Sequence, residues 1–155
     1  MDHTDIRFER VSLEDAETLI DVRNKSFYED YLKFGECPGY HISVESMTKS
    51  ILNRIMYKII CDNKVVGNIS IKDNQDGSFC LGCLCVIPEY QNRGIGQTAI
   101  KFIENELPNA VSWTLKTPAD KKKNVSFYQK AGYTIIDELV DGTVKLVLFE
   151  KKIKH

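Results

Sequence analysis

The sequence predicts a mixed α/β (α+β) fold, in which a mostly antiparallel sheet is flanked by helices. Short runs of β-branched and aromatic residues between polar turns indicate seven strands, and longer segments with a helical apolar period indicate four helices. The chain has 155 residues, is 43% hydrophobic and contains no long Gly, Ser or Pro tract. Residues 1–155 are therefore expected to form a single domain.

The first third of the chain is predicted to contain one strand and two helices. Residues 5–11 alternate as a strand does. Ser12, with Asp15 three residues later, is typical of a helix start, and the helical period continues to about Asp30 before two glycines and a proline interrupt it. A second helix is expected at about 43–53, where the apolar residues share one face.

The middle of the chain is predicted to be an antiparallel meander. Its three strands lie at 57–61, 65–71 and 79–87 and are joined by polar turns. Pro88 ends the third strand, and an amphipathic helix is expected at 94–107.

The last third is predicted to add a strand, a short helix and a hairpin. The strand lies at 110–115, and the helix at 124–132 ends with Gly132 in the C′ position. The last two strands pair across Asp141-Gly142, a dipeptide that favours a type I′ turn.

Charge and composition limit the classes of partner. The net charge of −1 and the isoelectric point near 6.3 create no domain-wide basic field, so neither nucleic acid nor a membrane is expected as a partner. The charged N-terminal segment contains no apolar leader, and no run of about 18 apolar residues occurs, which predicts a cytoplasmic protein. The sequence leaves the oligomeric state open, with a homodimer among the alternatives.

Cys80, Cys83 and Cys85 resemble half of a zinc site, which would need about four converging ligands. In a strand Cys83 and Cys85 share one face while Cys80 points to the other, and no second paired half-site occurs elsewhere. No metal is therefore expected, and the cysteines are predicted to be small buried hydrophobic residues. A catalytic nucleophile at Cys83 or Cys85 remains an alternative, although no histidine is placed near them by sequence.

The turn at 91–98 has the composition of an anion-binding loop. A Walker A loop is excluded because the four-residue gap and the lysine are missing. Gly94, Gly96 and Ala99 match a Rossmann fingerprint, but six residues separate the strand from the first glycine, so an NAD-dependent oxidoreductase is a distant alternative. Glycines before a helix N-terminus also let backbone N–H groups approach a diphosphate directly.

Two motifs resemble those of the Gcn5-related N-acetyltransferases (GNAT). Gln91-x-x-Gly94-x-Gly96 is similar to the Q/R-x-x-G-x-G/A pyrophosphate loop of that family, and Phe127-Tyr128 with Gly132-Tyr133 is similar to a second family signature. With the element order, the resemblance spans about residues 5–150. It implies a GNAT-like acyl-CoA acyltransferase fold, acetyl-CoA as the acyl donor, and an amine as the acceptor.

The resemblance also implies which residues bind acetyl-CoA. Strand residues would line the pantetheine arm, with the Val86 amide as an oxyanion donor, and loop residues would hold the diphosphate. The residues implied are Leu84, Cys85, Val86, Gln91, Asn92, Arg93, Gly94, Ile95, Gly96, Gln97 and Asn124.

Tyr128 matches the catalytic tyrosine of the family, which implies a general acid that protonates the departing thiolate. The alternative is that Phe127 and Tyr128 are core aromatic residues of a short helix. Residues 79–87 contain no carboxylate, so the sequence names no general base. A water chain to Glu89, or a residue of the 28–41 segment, is the working assumption.

Aromatic and acidic side chains are mixed in the segment that the resemblance assigns to the acceptor pocket. Tyr28, Tyr31 and Glu36 are predicted to contact a cationic amine of a small molecule or peptide. The alternative is that the aromatic residues only form the apolar face of the helix. A non-catalytic protein that binds coenzyme A or a metabolite on the same fold is the rival functional hypothesis.

Overall fold

The structure is a computed structural model that describes residues 5–34 and 40–153, with residue 34 described without its side chain. The helices and strands are β1 Ile6–Arg10, α1 Ala16–Phe34, α2 Val44–Asn53, β2 Ile55–Cys61, β3 Lys64–Asp73, β4 Ser78–Val86, α3 Ile95–Glu106, β5 Ser112–Pro118, α4 Lys122–Lys130, β6 Thr134–Asp141 and β7 Val144–Lys152. The predicted order of strands and helices is confirmed.

The strands form one hydrogen-bonded order, β1-β2-β3-β4-β5-β7-β6. β1–β2, β2–β3, β5–β7 and β6–β7 pair antiparallel, and β4–β5 pairs parallel, which confirms a mixed and mostly antiparallel sheet. The chain divides into two compact units, Met1–Lys72 with Gly82–Ala99 and Asp73–Leu81 with Ile100–His155. The number of independent folding domains stays a prediction.

The first unit has a core between its helices and its antiparallel strands. Ala16 and Leu19 of α1 pack with Met47 of α2 and Met56 of β2, and all four side chains are buried. These residues recur at helical spacing or at alternate strand positions, so burying one apolar face of each element stabilises the unit.

The predicted helix start at Ser12 is present, with one difference. The Ser12 backbone N–H donates to Asp15 Oδ2 at 2.9 Å, and a 3₁₀ turn, Leu13–Asp15, stands between this cap and α1. Lys58 Nζ donates to Asp15 Oδ1 at 2.9 Å, which links the cap to β2. α1 ends at Phe34, four residues beyond the predicted end at Asp30.

The second unit packs aromatic residues beneath β5 and β7. Trp113, Tyr133 and Phe149 are buried, and the Phe79 ring stacks on Trp113 with centroids 5.3 Å apart. The predicted type I′ turn at Asp141-Gly142 is wrong. Asp141 pairs with Val144, and of Asp141 and Gly142 the positive φ occurs only at Gly142, because the ladder extends one residue further towards the tip.

Candidate functional site

The end of β4 is held closely against β3. The Ile87 N–H donates to the Val66 carbonyl at 2.8 Å, and a Cβ added to Gly67 would overlap the Cys85 carbonyl oxygen. Successive N–H groups of an extended strand point to opposite edges. Because the Ile87 N–H faces β3, the Val86 N–H and C=O face the other edge of β4.

The parallel ladder between β4 and β5 is short. It joins Ser78, Phe79 and Cys80 to Ser112, Trp113 and Thr114, and residues 81–86 continue β4 beyond these pairs. Leu84 and Val86, which the sequence assigned to the pantetheine arm, lie in this continuation and are half-buried. The Cys85 side chain is buried, so Cys85 would contribute through its backbone.

The loop after β4 is anchored by its own glutamine. Gln91 Nε2 donates to the Val86 carbonyl at 2.9 Å. This bond ties the loop to the strand end and uses one N–H of a side chain that the sequence assigned to the cofactor. The structural role was not predicted, because the motif alone does not say which group Gln91 contacts.

Tyr90 positions the positive charge of the loop. Its hydroxyl donates to Asp62 Oδ2 at 3.1 Å, and burial and the Asp62 carboxylate raise the pKa of Tyr90, so the phenol stays protonated. The Arg93 guanidinium lies 4.8 Å from the ring centroid, and Lys64 Nζ lies 5.9 Å from it. Two cations on one aromatic ring place positive charge beside the glycine turn.

The glycine turn leads into the N-terminus of α3 with two residues in the left-handed region, Asn92 at φ 63° and Gly94 at φ 81°. Thr98 closes the first helical turn, since its N–H and Oγ1 both donate to the Gly94 carbonyl. Ile95 is 2% exposed and anchors the helix in the core, so it would meet a ligand only through its backbone. The first N–H groups of such a helix have no intrahelical acceptor, and its dipole favours an anion.

The remaining members of the predicted cofactor set lie on the surface or near it. Asn92 is exposed in the loop, Gly96 and Gln97 are half-buried in the first turn of α3, and Asn124 is exposed in α4. Nothing lies within 4 Å of a Cβ added to Gly94, so the space above that residue is open.

Tyr128 lies in α4 of the second unit among aromatic neighbours. Its ring centroid is 5.0 Å from Phe127, 5.9 Å from Tyr133 and 5.8 Å from Phe149, and the side chain is half-buried. These contacts fix the ring while part of the side chain reaches solvent. Its catalytic role stays a prediction.

Tyr28 lines a cavity of about 340 Å³ in the first unit. The other lining residues are Asn24, Lys25, Tyr40, Pro88 and Glu89. The Tyr31 ring stacks on Tyr40 at 4.6 Å and is 40% exposed, so Tyr31 does not belong to a buried helix face. Glu36 lies outside the described residues. Aromatic faces beside a carboxylate suit an organic cation.

The cysteines of β4 lie as the strand period predicts. Cys83 and Cys85 share a face and are joined by a hydrogen bond between their thiols. Sequence reasoning missed their neighbour Arg23, a buried cation of α1 whose position in the sequence resembles any polar helix residue.

Two searches for other sites cover the described part of the chain. Within 5–34 and 40–153, no group of three or more His, Cys, Asp or Glu side chains could hold a metal ion. Over the same residues, no helix combines the length and apolar character that a membrane span requires.

The model of the acetyltransferase (GNAT) domain matches residues 53–135, more than half of the chain, so the chain belongs to the GNAT acetyltransferase family. The predicted family is therefore confirmed. The uncharacterized protein YrkN of Bacillus subtilis (strain 168) is 34% identical over 109 residues, or 67% of this chain. That match spans 59% of YrkN, so the chain covers about three fifths of this relative.

Solved structures share the fold. The PaiA N-acetyltransferase of Thermoplasma acidophilum, solved in complex with coenzyme A, has a TM-score of 0.82 and 24% identity and covers 96% of this chain and 99% of its own. An acetyltransferase of Thermus thermophilus has a TM-score of 0.78 and 17% identity over 96% and 97%. A spermidine N-acetyltransferase chimera that contains Vibrio cholerae SpeG has a TM-score of 0.76 and 13% identity over 95% of each chain.

Proposed function

We propose that this protein transfers an acetyl group from acetyl-CoA to a primary amine of a small molecule or peptide. The observation that carries the proposal is the start of α3, where Gly94 leaves its surroundings open and Arg93 lies nearby on Tyr90. A helix N-terminus with an added guanidinium suits a diphosphate. Residues 91–97 of this chain fit that part of coenzyme A.

The end of β4 fits the other half of the donor. The backbone of Leu84 to Val86 would pair with the pantetheine arm, because these residues continue beyond the β4–β5 ladder. The Val86 N–H points away from β3, since the neighbouring Ile87 N–H donates to Val66. It would donate to the oxyanion that forms on the thioester carbonyl.

The reaction needs one proton removed from the amine and one supplied to the thiolate of coenzyme A. The neutral amine attacks the thioester carbon, the C–S bond breaks, and the thiolate takes the Tyr128 proton, an ordinary phenol having a pKa of about 10. Glu89 accepts the amine proton through water. Tyr28 and Tyr40 hold the positive end of the acceptor beside Glu89 in the cavity.

The setting of the reaction is part of the proposal. Cys61, Cys80, Cys83 and Cys85 are free thiols, which suits a reducing cytoplasm. A homodimer, and the absence of nucleic acid and membrane partners, stay predictions from the sequence.

Thermal unfolding with acetyl-CoA, coenzyme A and NAD in parallel tests the donor. A ligand at about a hundred times its dissociation constant adds roughly 2.7 kcal/mol, which raises the midpoint of a chain this size by about 5–10 °C. We expect that shift with both coenzyme A forms and none with NAD. No shift with either form would end the proposal. Release of free thiol with a panel of primary amines then separates an acetyltransferase from a protein that only binds coenzyme A.

A further inference from the structure

Arg23 is a buried cation that has only a neutral side chain as its hydrogen-bond partner. It is 7% exposed, and its Nε and Nη2 atoms donate to Asn68 Oδ1 at 2.9 and 2.8 Å. Asn68 is itself buried and donates to the Tyr57 carbonyl at 3.0 Å. Arg23 takes part in none of the ion pairs between residues that the structure describes. A buried guanidinium without an anion costs several kcal/mol, so a negative neighbour would stabilise it.

The thiols of β4 supply that neighbour. Cys85, 5% exposed, donates its S–H to the sulfur of Cys83, and Arg23 acts on both sulfurs. The hydrogen bond from Cys85 lowers the pKa of Cys83, and Arg23 adds to this against the effect of burial. The same hydrogen bond and burial raise the pKa of Cys85, which keeps Cys85 as the donor. Within the described residues, Cys85 and Arg23 are the titratable or charged groups that shift Cys83.

We infer that Cys83 is a reactive thiolate that is oxidised by hydroperoxides to a sulfenic acid. The half-buried sulfur is accessible enough for a molecule the size of hydrogen peroxide. The thiolate attacks one peroxide oxygen, an S–O bond forms, and the O–O bond breaks. The sulfur loses two electrons, and the departing hydroxide takes a proton and leaves as water.

The other described cysteines lack this environment. Burial raises the pKa of Cys61, and Asp62 raises it further. Cys80 lies on the opposite face of β4 from Cys83, away from Arg23. An extended strand holds the Cα atoms of Cys83 and Cys85 about 6.6 Å apart, near the upper limit for a disulfide, so the sulfenic acid persists. This inference is independent of acetyl transfer.

The first test maps oxidation in the full chain. The protein is treated at pH 7 with one equivalent of hydrogen peroxide and with dimedone, which traps sulfenic acids, and each cysteine is quantified by mass spectrometry. Cys80 is the internal control, since it is a half-buried thiol of the same strand. We expect at least tenfold more adduct at Cys83 than at Cys80. Equal labelling, or labelling mainly at another cysteine, would overturn the inference.

The second test asks whether Cys85 and Arg23 create the reactivity. The rate of Cys83 alkylation by iodoacetamide is measured against pH, and we expect a midpoint below the value of about 8.5 for an ordinary cysteine. Cys85→Ala should slow the reaction at pH 6.5 several-fold, Cys85→Ser should restore it because a hydroxyl still donates, and Arg23→Met should slow it too. Even if Arg23→Met does not fold, identical rates for the two Cys85 variants, or a midpoint at or above 8.5, would refute the inference.

Discussion

Gly67 of β3 lies directly against the backbone carbonyl of Cys85 in β4. A Cβ on Gly67 would overlap that oxygen and would also lie 3.0 Å from Ile59 Cδ1. Neither a carbonyl in a paired strand nor a buried isoleucine can move cheaply. The close approach fixes β4 just before its backbone turns into the glycine loop, so the geometry of the candidate site depends on a residue outside the motif.

Gly67→Ala should therefore destabilise the protein by about 1–3 kcal/mol, as overpacking does. The midpoint of urea unfolding measures the loss. Gly82→Ala is the matched control, because its Cβ would meet the movable end of Arg54, Nη1, at 3.1 Å. We expect the control to change stability by less than about 0.5 kcal/mol. Equal losses in both variants would show that β3 and β4 tolerate a side chain at Gly67.

Gly94→Ala should weaken acetyl-CoA binding at least tenfold, because the added methyl group occupies the space proposed for the diphosphate. Alanine at φ 81° also costs about 1–2 kcal/mol of stability. Gly142→Ala controls for this strain, since Gly142 has φ 63° and an equally open Cβ direction. Calorimetric titration should give unchanged affinity for the control. Wild-type affinity in Gly94→Ala would remove the loop from the binding site.

Tyr128→Phe should lower the acetyl-transfer rate at least tenfold and change acetyl-CoA affinity less than twofold, since the ring and its packing remain. The matched control is Tyr133→Phe. The Tyr133 hydroxyl is buried and finds no hydrogen-bond partner within the described structure, so removing it should cost neither rate nor stability. Steady-state kinetics of both variants decide the point, and normal turnover by Tyr128→Phe would exclude it as the acid.

Asp15 should make stability depend on pH in the acid range. Burial raises the pKa of Asp15, but hydrogen bonds from the Ser12 N–H and from Lys58 outweigh it, and the net pKa is lowered. A lowered folded-state pKa contributes stability above the unfolded value of about 3.9, and this is lost as pH falls through the folded value.

Asp15→Asn should consequently cost about 1 kcal/mol at pH 7, and the difference from the wild type should shrink below about pH 4. Urea unfolding at a series of pH values measures it. Asp21→Asn is the control, because its pair with Lys25 is largely exposed and should be worth less than about 0.5 kcal/mol. A constant difference down to pH 2 would contradict the assignment.

The sequence predicted the elements well where the signal is local. Alternation, helical period and turn residues each involve neighbours within a few positions, and they gave every strand and helix in order. The hairpin tip differed, because the register of β6 on β7 is set by the ladder, which carries Asp141 into a pair with Val144. The 3₁₀ turn after Ser12 likewise adds a detail that the capping pattern does not contain.

By itself the sequence determined the order of elements and the glycine loop that supports the family and the donor site. Tertiary structure decided the surroundings of the side chains: Gln91 binds Val86, Gly67 meets Cys85, and Arg23 is buried beside two thiols. Arg23 and Asn68 are 45 positions apart, and Cys83 lies further still along the chain. Burial and neighbouring charge depend on which distant segments pack together, so periodicity and spacing do not encode them.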